Sequence, residues 1–251
     1  MKNKNPWISG RTERQSARLR LFCFPYAGGA ASVFRNWQAE MPPAIEVCPV
    51  QLPGRASRHF DPPFTHLPPL VEAITTGILP YLDKPFVLFG HSLGAILSFE
   101  LARSLRKLGL VPELIIVSAS NAAHIPDENP PIHDLPEPEF VERLRKLNGT
   151  PADALAEPEL MKLYTPLLRA DLAVAETYIY KHEHPLTCPI SAFGGADDPE
   201  VDFVNLVYWQ QHTMANFSIR VFSGDHFFIH SSRKQLIMAI SDELSNYIPR
   251  V

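Results

Sequence analysis

The sequence predicts an α/β protein with a mostly parallel, doubly wound sheet, and three observations carry that prediction. Six short apolar runs recur along the chain, helical patterns separate them, and one run leads directly into a serine between two glycines. The runs are Leu19–Phe24, Ile45–Gln51, Phe86–Phe89, Leu114–Ala119, Ile190–Phe193 and Ser218–Phe222. Their near-continuous hydrophobicity suits strands covered on both faces, as in a parallel sheet, and not the alternation of a half-exposed one. Strands alternating with helices at this density imply an open, doubly wound arrangement.

The helices are read from apolar spacing. Ser32–Met41 carries Val33, Phe34 and Trp37 on one face, Leu67–Leu82 and Ala95–Leu108 carry similar stripes, and Lys234–Tyr247 supplies the last one. From about His124 to His184 the rhythm breaks. That stretch holds no strand pattern but three helical ones, Glu137–Leu147, Glu157–Leu168 and Ala170–Tyr180. An insertion of this length, about 60 residues, exceeds an ordinary connection between strands, so a helical lid is expected. The domain plan is thus a polar N-terminal extension over 1–18 and one α/β domain over 19–251, with the insertion at about 124–184.

Bulk composition narrows the function class. The chain has 251 residues, 45% hydrophobic and 20% charged, which suits one well-buried domain. A net charge of −4 gives no reason to expect a nucleic-acid or membrane-surface partner. Cys23, Cys48 and Cys188 are odd in number and lie among apolar neighbours, so buried thiols are expected and not a disulfide framework or metal cluster. Residues 1–20 lack the apolar stretch of a secretory signal, and no run approaches a membrane span. A soluble, cytoplasmic monomer is the expectation. The 25 prolines crowd at 41–69 and 126–158, marking loops.

The chemistry starts at Phe86-Val-Leu-Phe-Gly90-His91-Ser92-Leu93-Gly94, an apolar strand, then G-x-S-x-G, then a helix. Ser92 belongs on a sharp, strained turn that projects its hydroxyl above the sheet edge, with Gly90 and Gly94 leaving room where a side chain would collide. A serine hydroxyl needs a base. His226, in Ser223-Gly224-Asp225-His226-Phe227-Phe228 just past the last strand, is the candidate, with His230 the nearest competitor. The orienting acid is expected after the penultimate strand, where Gly195-Ala196-Asp197-Asp198-Pro199 offers two carboxylates. Asp198 is preferred because it fits a Gly-x-x-Asp-Pro turn. Its carboxylate would hold the imidazole tautomer and stabilise the imidazolium. The oxyanion hole needs two backbone N–H groups, one from Leu93 and one from the glycine-rich loop Phe24-Pro25-Tyr26-Ala27-Gly28-Gly29. Neither a P-loop nor a G-x-G-x-x-G fingerprint occurs, so no cofactor and no metal are expected.

Jointly, Phe24-Pro25-Tyr26-Ala27-Gly28-Gly29, Gln51-Leu52-Pro53-Gly54-Arg55, Gly90-His91-Ser92-Leu93-Gly94, Leu168-Arg169-Ala170-Asp171 and Gly224-Asp225-His226-Phe227-Phe228 resemble the stand-alone type II thioesterases of polyketide and nonribosomal peptide synthesis. The resemblance runs from about Leu19 to Tyr247. It implies the α/β-hydrolase fold, a triad of Ser92, Asp198 and His226, and oxyanion amides at Ala27 and Leu93. It also implies hydrolysis of misprimed or stalled acyl groups from the phosphopantetheine arm of acyl or peptidyl carrier proteins. A general short-chain ester or thioester hydrolase and a product-releasing thioesterase stay open as alternatives. Asp225 departs from the family, which often has a second glycine there, and a carboxylate beside the base bears on its pKa. Arg55 and Arg58, with His59, form a basic spot that either meets an acidic carrier or, for Arg55, braces a loop through an ion pair. Arg169 and Asp171 are expected to hold the insertion together.

Overall fold

The computed structural model describes residues 5–127, 129–149 and 152–248. Six strands, β1 (Leu19–Phe24), β2 (Ile45–Pro49), β3 (Phe86–His91), β4 (Leu114–Ser118), β5 (Ile190–Gly195) and β6 (Phe217–Phe222), form one sheet in the order β2-β1-β3-β4-β5-β6. Every pairing is parallel, so each connection must cross over a face of the sheet. All six runs predicted from apolar continuity are strands. Buried residues alternate between the two faces. Phe22, Phe24, Leu88 and Val117 join one hydrophobic core, while Leu21, Cys23, Phe89 and Ile116 join the other. Edge strand β6 is mostly exposed except at its end, where Phe222 is buried.

The helices are α1 (Trp37–Glu40), α2 (Leu67–Ile78), α3 (Leu93–Arg106), α4 (Glu137–Leu147), α5 (Ala152–Leu155), α6 (Pro158–Glu176), α7 (Phe203–Val207), α8 (Phe228–Ser231) and α9 (Arg233–Leu244). Helices α2 and α3 cover the first face, and α1, α8 and α9 the second. Three expectations need correcting. Ser32–Met41 is not one helix but a 3-10 turn over Ala31–Phe34 followed by a single α-turn. The patterns at 157–168 and 170–180 are one continuous helix, α6, which passes through Pro166 and ends at Glu176. A proline removes one backbone donor, but burial of Met161 before it and of Leu167, Leu168, Ala170 and Val174 after it holds the helix together. The third correction concerns β2, which stops at Pro49, two residues short of the predicted run; Val50 instead bridges antiparallel to Ile8.

That bridge belongs to the polar extension, which is tied to the domain. Trp7 is buried, and a side chain at Gly77 would meet its ring at 2.1 Å. Arg11 and Arg20 both reach the buried carboxylate of Glu46 at 2.9 Å. The three cysteines are free and buried, as their apolar surroundings predicted. No helix among the described residues is long and apolar enough to cross a membrane.

The segment between β4 and β5 holds α4, α5 and α6 and no strand among its described residues. It has a small core of its own, in which Phe140 and Leu144 of α4 meet Met161 and Leu168 of α6. Polar ties complete it: the Glu176 carboxylate accepts from the amides of Ile132 and His133 at 3.0–3.1 Å, and Arg169 donates to the carbonyl of His133. The returning chain is pinned to α3, where Arg106 bonds Glu183 at 2.6 Å and the Tyr178 hydroxyl bonds Glu100 at 2.6 Å.

Candidate active site

The strand order reverses between β1 and β3, and in open α/β sheets ligands bind outside the carboxyl ends of strands at such a switch point. Both loops that leave this point carry predicted site residues. Ser92 follows β3 with φ 55° and ψ −118°, a conformation that an L-residue holds only under constraint. Its amide is anchored to the carbonyl of Ser118 at 2.7 Å, and its carbonyl accepts from Ala95 at 2.8 Å. The flanking glycines are obligatory on steric grounds. A Cβ at Gly90 would lie 1.8 Å from the carbonyl oxygen of Gly94, and a Cβ at Gly94 would lie 2.2 Å from that of Phe24. The second approach draws the start of α3 against the end of β1. Ala27 and Leu93 consequently line the same cavity as Ser92. Among the described residues, neither the Ala27 nor the Leu93 amide donates to a protein acceptor, whereas Gly28, Gly29 and Ala31 donate to Asp171, Tyr26 and Gln51.

His226 follows β6, and its Nδ1 lies 2.9 Å and 3.2 Å from the two carboxylate oxygens of Asp198. The Asp198 side chain is fully buried, and its Oδ1 also accepts from the amide of Glu200 at 2.9 Å. Asp197 is exposed and meets the His226 loop only through its backbone, which bonds the carbonyl of Gly224. Of the two adjacent carboxylates, Asp198 therefore faces the imidazole. His230 is engaged elsewhere, with the Tyr26 hydroxyl at 2.8 Å. Neither the Ser92 hydroxyl nor Nε2 of His226 has a partner among the described residues, and both open on the cavity of about 640 Å³. Such hydrogen bonds commonly tighten only when substrate is bound.

The carboxylate of Asp225 accepts from the Phe227 amide at 2.9 Å and from Asn148 Nδ2 at 3.2 Å. It ties the histidine loop to the end of α4, where Asn148 closes the helix in the left-handed conformation at φ 56°. Gly149 packs so closely that a Cβ there would meet the Phe227 ring at 2.5 Å.

Arg55 is the brace of the two alternatives left open. It is buried and forms a bidentate pair with Asp171 on α6 at 2.5 and 2.7 Å, while also donating to the carbonyls of Pro53 and Gly29. Arg58 bonds Asp61 at 2.7 Å and lies 4.1 Å over the Trp7 ring. Both arginines of the basic spot thus have partners within the chain. Asp171 also accepts from the Gly28 amide at 2.7 Å, so one carboxylate joins the insertion, the Pro53-Gly54-Arg55 loop and the glycine-rich loop.

His91, treated as a spacer in G-x-S-x-G, has a role that the pattern did not reveal. It is fully buried; its Nε2 lies 2.9 Å from the carbonyl of His226 and its Nδ1 2.9 Å from Ser118 Oγ. A carbonyl only accepts, so Nε2 carries the proton and Nδ1 accepts from the hydroxyl. Burial holds its pKa well below the usual range, with His226 and His230 adding to the effect, so the ring is neutral. A fixed chain from β4 through His91 thereby positions the backbone of His226. No local signal in the sequence reveals this role, because the partners of His91, at the end of β3, lie 27 and 135 residues away.

Comparison with known proteins follows from this geometry. A thioesterase-domain family model matches residues 19–244. The chain is 42% identical over 246 residues to the protein named linear gramicidin dehydrogenase LgrE of Brevibacillus parabrevis, covering 96% of this chain and 94% of that one. It is 42% identical over 241 residues to the gramicidin S biosynthesis protein GrsT of Aneurinibacillus migulanus, with the same coverage. Among solved structures, the type II thioesterase BorB from the borrelidin biosynthetic cluster superposes with a TM-score of 0.87 at 34% identity, covering 95% of this chain and 98% of that one.

Proposed function

The chain belongs to the thioesterase family, with the α/β-hydrolase fold, and on that premise we propose that Ser92, His226 and Asp198 are its catalytic triad. The observation that carries this reading is the Asp198–His226 pair, held at 2.9 Å and opening on the cavity that also holds the strained Ser92 turn. In the reaction, Nε2 of His226 takes the hydroxyl proton as Ser92 Oγ attacks the thioester carbonyl. The oxygen anion that forms is met by the Ala27 and Leu93 amides. The C–S bond then breaks, His226 returns the proton to the leaving thiol, and an acyl-serine remains. Water, deprotonated by the same imidazole, releases the acid and restores Ser92.

The substrate is an acyl group on the phosphopantetheine arm of an acyl or peptidyl carrier protein, and the role is removal of misprimed or stalled groups. Support comes from relatives whose names place them in gramicidin and borrelidin biosynthesis. No cofactor enters the reaction as written. The helical insertion acts as a lid, since α4 and α6 both contribute to the cavity wall and Asn148 and Asp171 reach the two site loops. The test is hydrolysis of one short acyl group on a carrier protein and on coenzyme A. Ser92→Ala is expected to lower turnover of both by several orders of magnitude, because nucleophile and base act as a unit. Retention of more than about a tenth of wild-type turnover would refute the covalent mechanism. A wild-type kcat/KM no higher on the carrier protein than on coenzyme A would favour the general short-chain hydrolase.

A further inference from the structure

We propose that Arg143, on the cavity-facing side of α4, binds an oxygen anion that the acyl-thioester substrate carries away from its reacting carbon. The proposal rests on the thioesterase reading of the site and adds a residue to it. Arg143 is half-buried and lines the same cavity as Ser92 and His226. It makes no ion pair and no hydrogen bond with any other described residue. Its neighbours differ. Arg145 pairs with Glu142, Arg169 donates to the His133 carbonyl, and Arg55 is locked to Asp171.

The described carboxylates that border the cavity do not claim it either. Glu176 is occupied by the amides of Ile132 and His133 and by the His133 ring, and Asp127 accepts from Asn129. Glu139, one helical turn before Arg143, and exposed Glu200 form no ion pair with it. A guanidinium presents a rigid fork of donors matched to two coplanar anionic oxygens. Beside it on the cavity wall are the apolar Leu144 and Leu147, and a bond to an anion strengthens where apolar surface lowers the local dielectric. An unpaired guanidinium on the wall of the reaction cavity is the pattern of a ligand contact.

Two parts of such a substrate carry that chemistry, the phosphate of the pantetheine arm and a carboxylate at the far end of the acyl group. Three non-hydrolysable thioethers separate them: S-acetonyl-pantetheine, its 4′-phosphate, and the neutral-arm analogue whose acyl mimic ends in a carboxylate. Each is titrated calorimetrically into the full chain and into Arg143→Gln. The expected result is at least about tenfold weaker binding of one anionic probe to the variant, with the neutral probe unchanged. Loss on the 4′-phosphate assigns the arm; loss on the carboxylate probe assigns the acyl end. Arg143→Lys restores part of the affinity, since a point charge lacks the fork. Equal weakening of all three probes would make Arg143 structural, and no change, or no binding of any probe to the wild type, would also overturn the proposal. The thioesterase reading fails separately, through turnover that survives in Ser92→Ala, which leaves these titrations untouched.

Discussion

Removing the Asp171 carboxylate tests how the insertion is joined to the site loops. In Asp171→Ala the Arg55 guanidinium, 5% exposed, loses both arms of its bidentate pair and keeps only the carbonyls of Pro53 and Gly29. Breaking a buried pair from one side costs about 3–5 kcal/mol, because an uncompensated charge remains in the interior. The Gly28 amide also loses its 2.7 Å acceptor, which adds about 1 kcal/mol or more. A total of about 4–6 kcal/mol is a large share of a domain stability of about 5–15 kcal/mol. Asp171→Asn should cost less, since its side-chain oxygen still serves Gly28. The double variant Arg55→Met with Asp171→Leu should cost less than Asp171→Ala, because no charge is stranded. Urea unfolding at pH 7 of the two single variants, Arg55→Met and Asp171→Leu, and of their double measures the cycle, with a coupling of at least about 2 kcal/mol expected. Single variants that each lose under about 1 kcal/mol and add without coupling would refute the brace. A kinetic consequence accompanies the thermodynamic one. Freed of Asp171, the turn that presents the Ala27 amide loosens, and kcat should fall by tenfold or more even in variants still folded at the assay temperature. Loss of one oxyanion donor outright costs about 10²–10³.

Asp198→Asn should lower thioester turnover by about 10⁴, from a mis-set imidazole tautomer, while Asp197→Asn stays near wild type; steady-state kinetics giving comparable losses would move the acid off Asp198. His212, buried between Phe99 and Trp209 and 2.8 Å from His124, is pushed down to about 4 by burial, with His124 and Arg103 adding to the effect. Its folded pKa lies below the unfolded value of about 6.5, so the unfolded chain binds the extra proton, and stability present above about pH 6.5 is lost as pH falls toward 4. Urea midpoints between pH 7 and 4.5 should therefore decline, with up to about 1.4 kcal/mol per pH unit from this residue, and His212→Gln should flatten the decline without abolishing it, since His91 is depressed in the same sense.

The strands were legible because a parallel sheet buried on both faces writes a signal that depends only on local composition. Every apolar run became a strand of the sheet. The helices were legible where an apolar stripe spans three turns, as in α2, α3, α4 and α9, and failed where a turn is short. The 3-10 turn at Ala31–Phe34, α7 and α8 bury one or two side chains each, too few for a period to show. The division of α6 at Arg169 failed for another reason. Pro166 weakens the local preference for helix, and only contacts with α3 and the small core of the insertion override it.

The site divides along the same line. Ser92, Asp198 and His226 could be placed on the loops they occupy because each follows a strand end in an order the sheet imposes. Which of two adjacent carboxylates faces the imidazole was only a preference from turn chemistry, since neighbours in a loop point apart and the decision lies with packing. Arg55 is the sharper case. Its composition as an exposed-type cation and its place in a basic cluster with Arg58 and His59 allowed a surface contact as readily as a brace. The decision rests on a residue 116 positions later, Asp171, and on α6 running unbroken so that Asp171 reaches back to the loop. A charged side chain announces that it needs a partner, but not whether that partner is in the chain or outside it. Arg55 found one inside; among the described residues Arg143, equally anonymous in sequence, did not. The same local information thus leads to opposite roles, and only three-dimensional pairing separates a structural cation from a binding one.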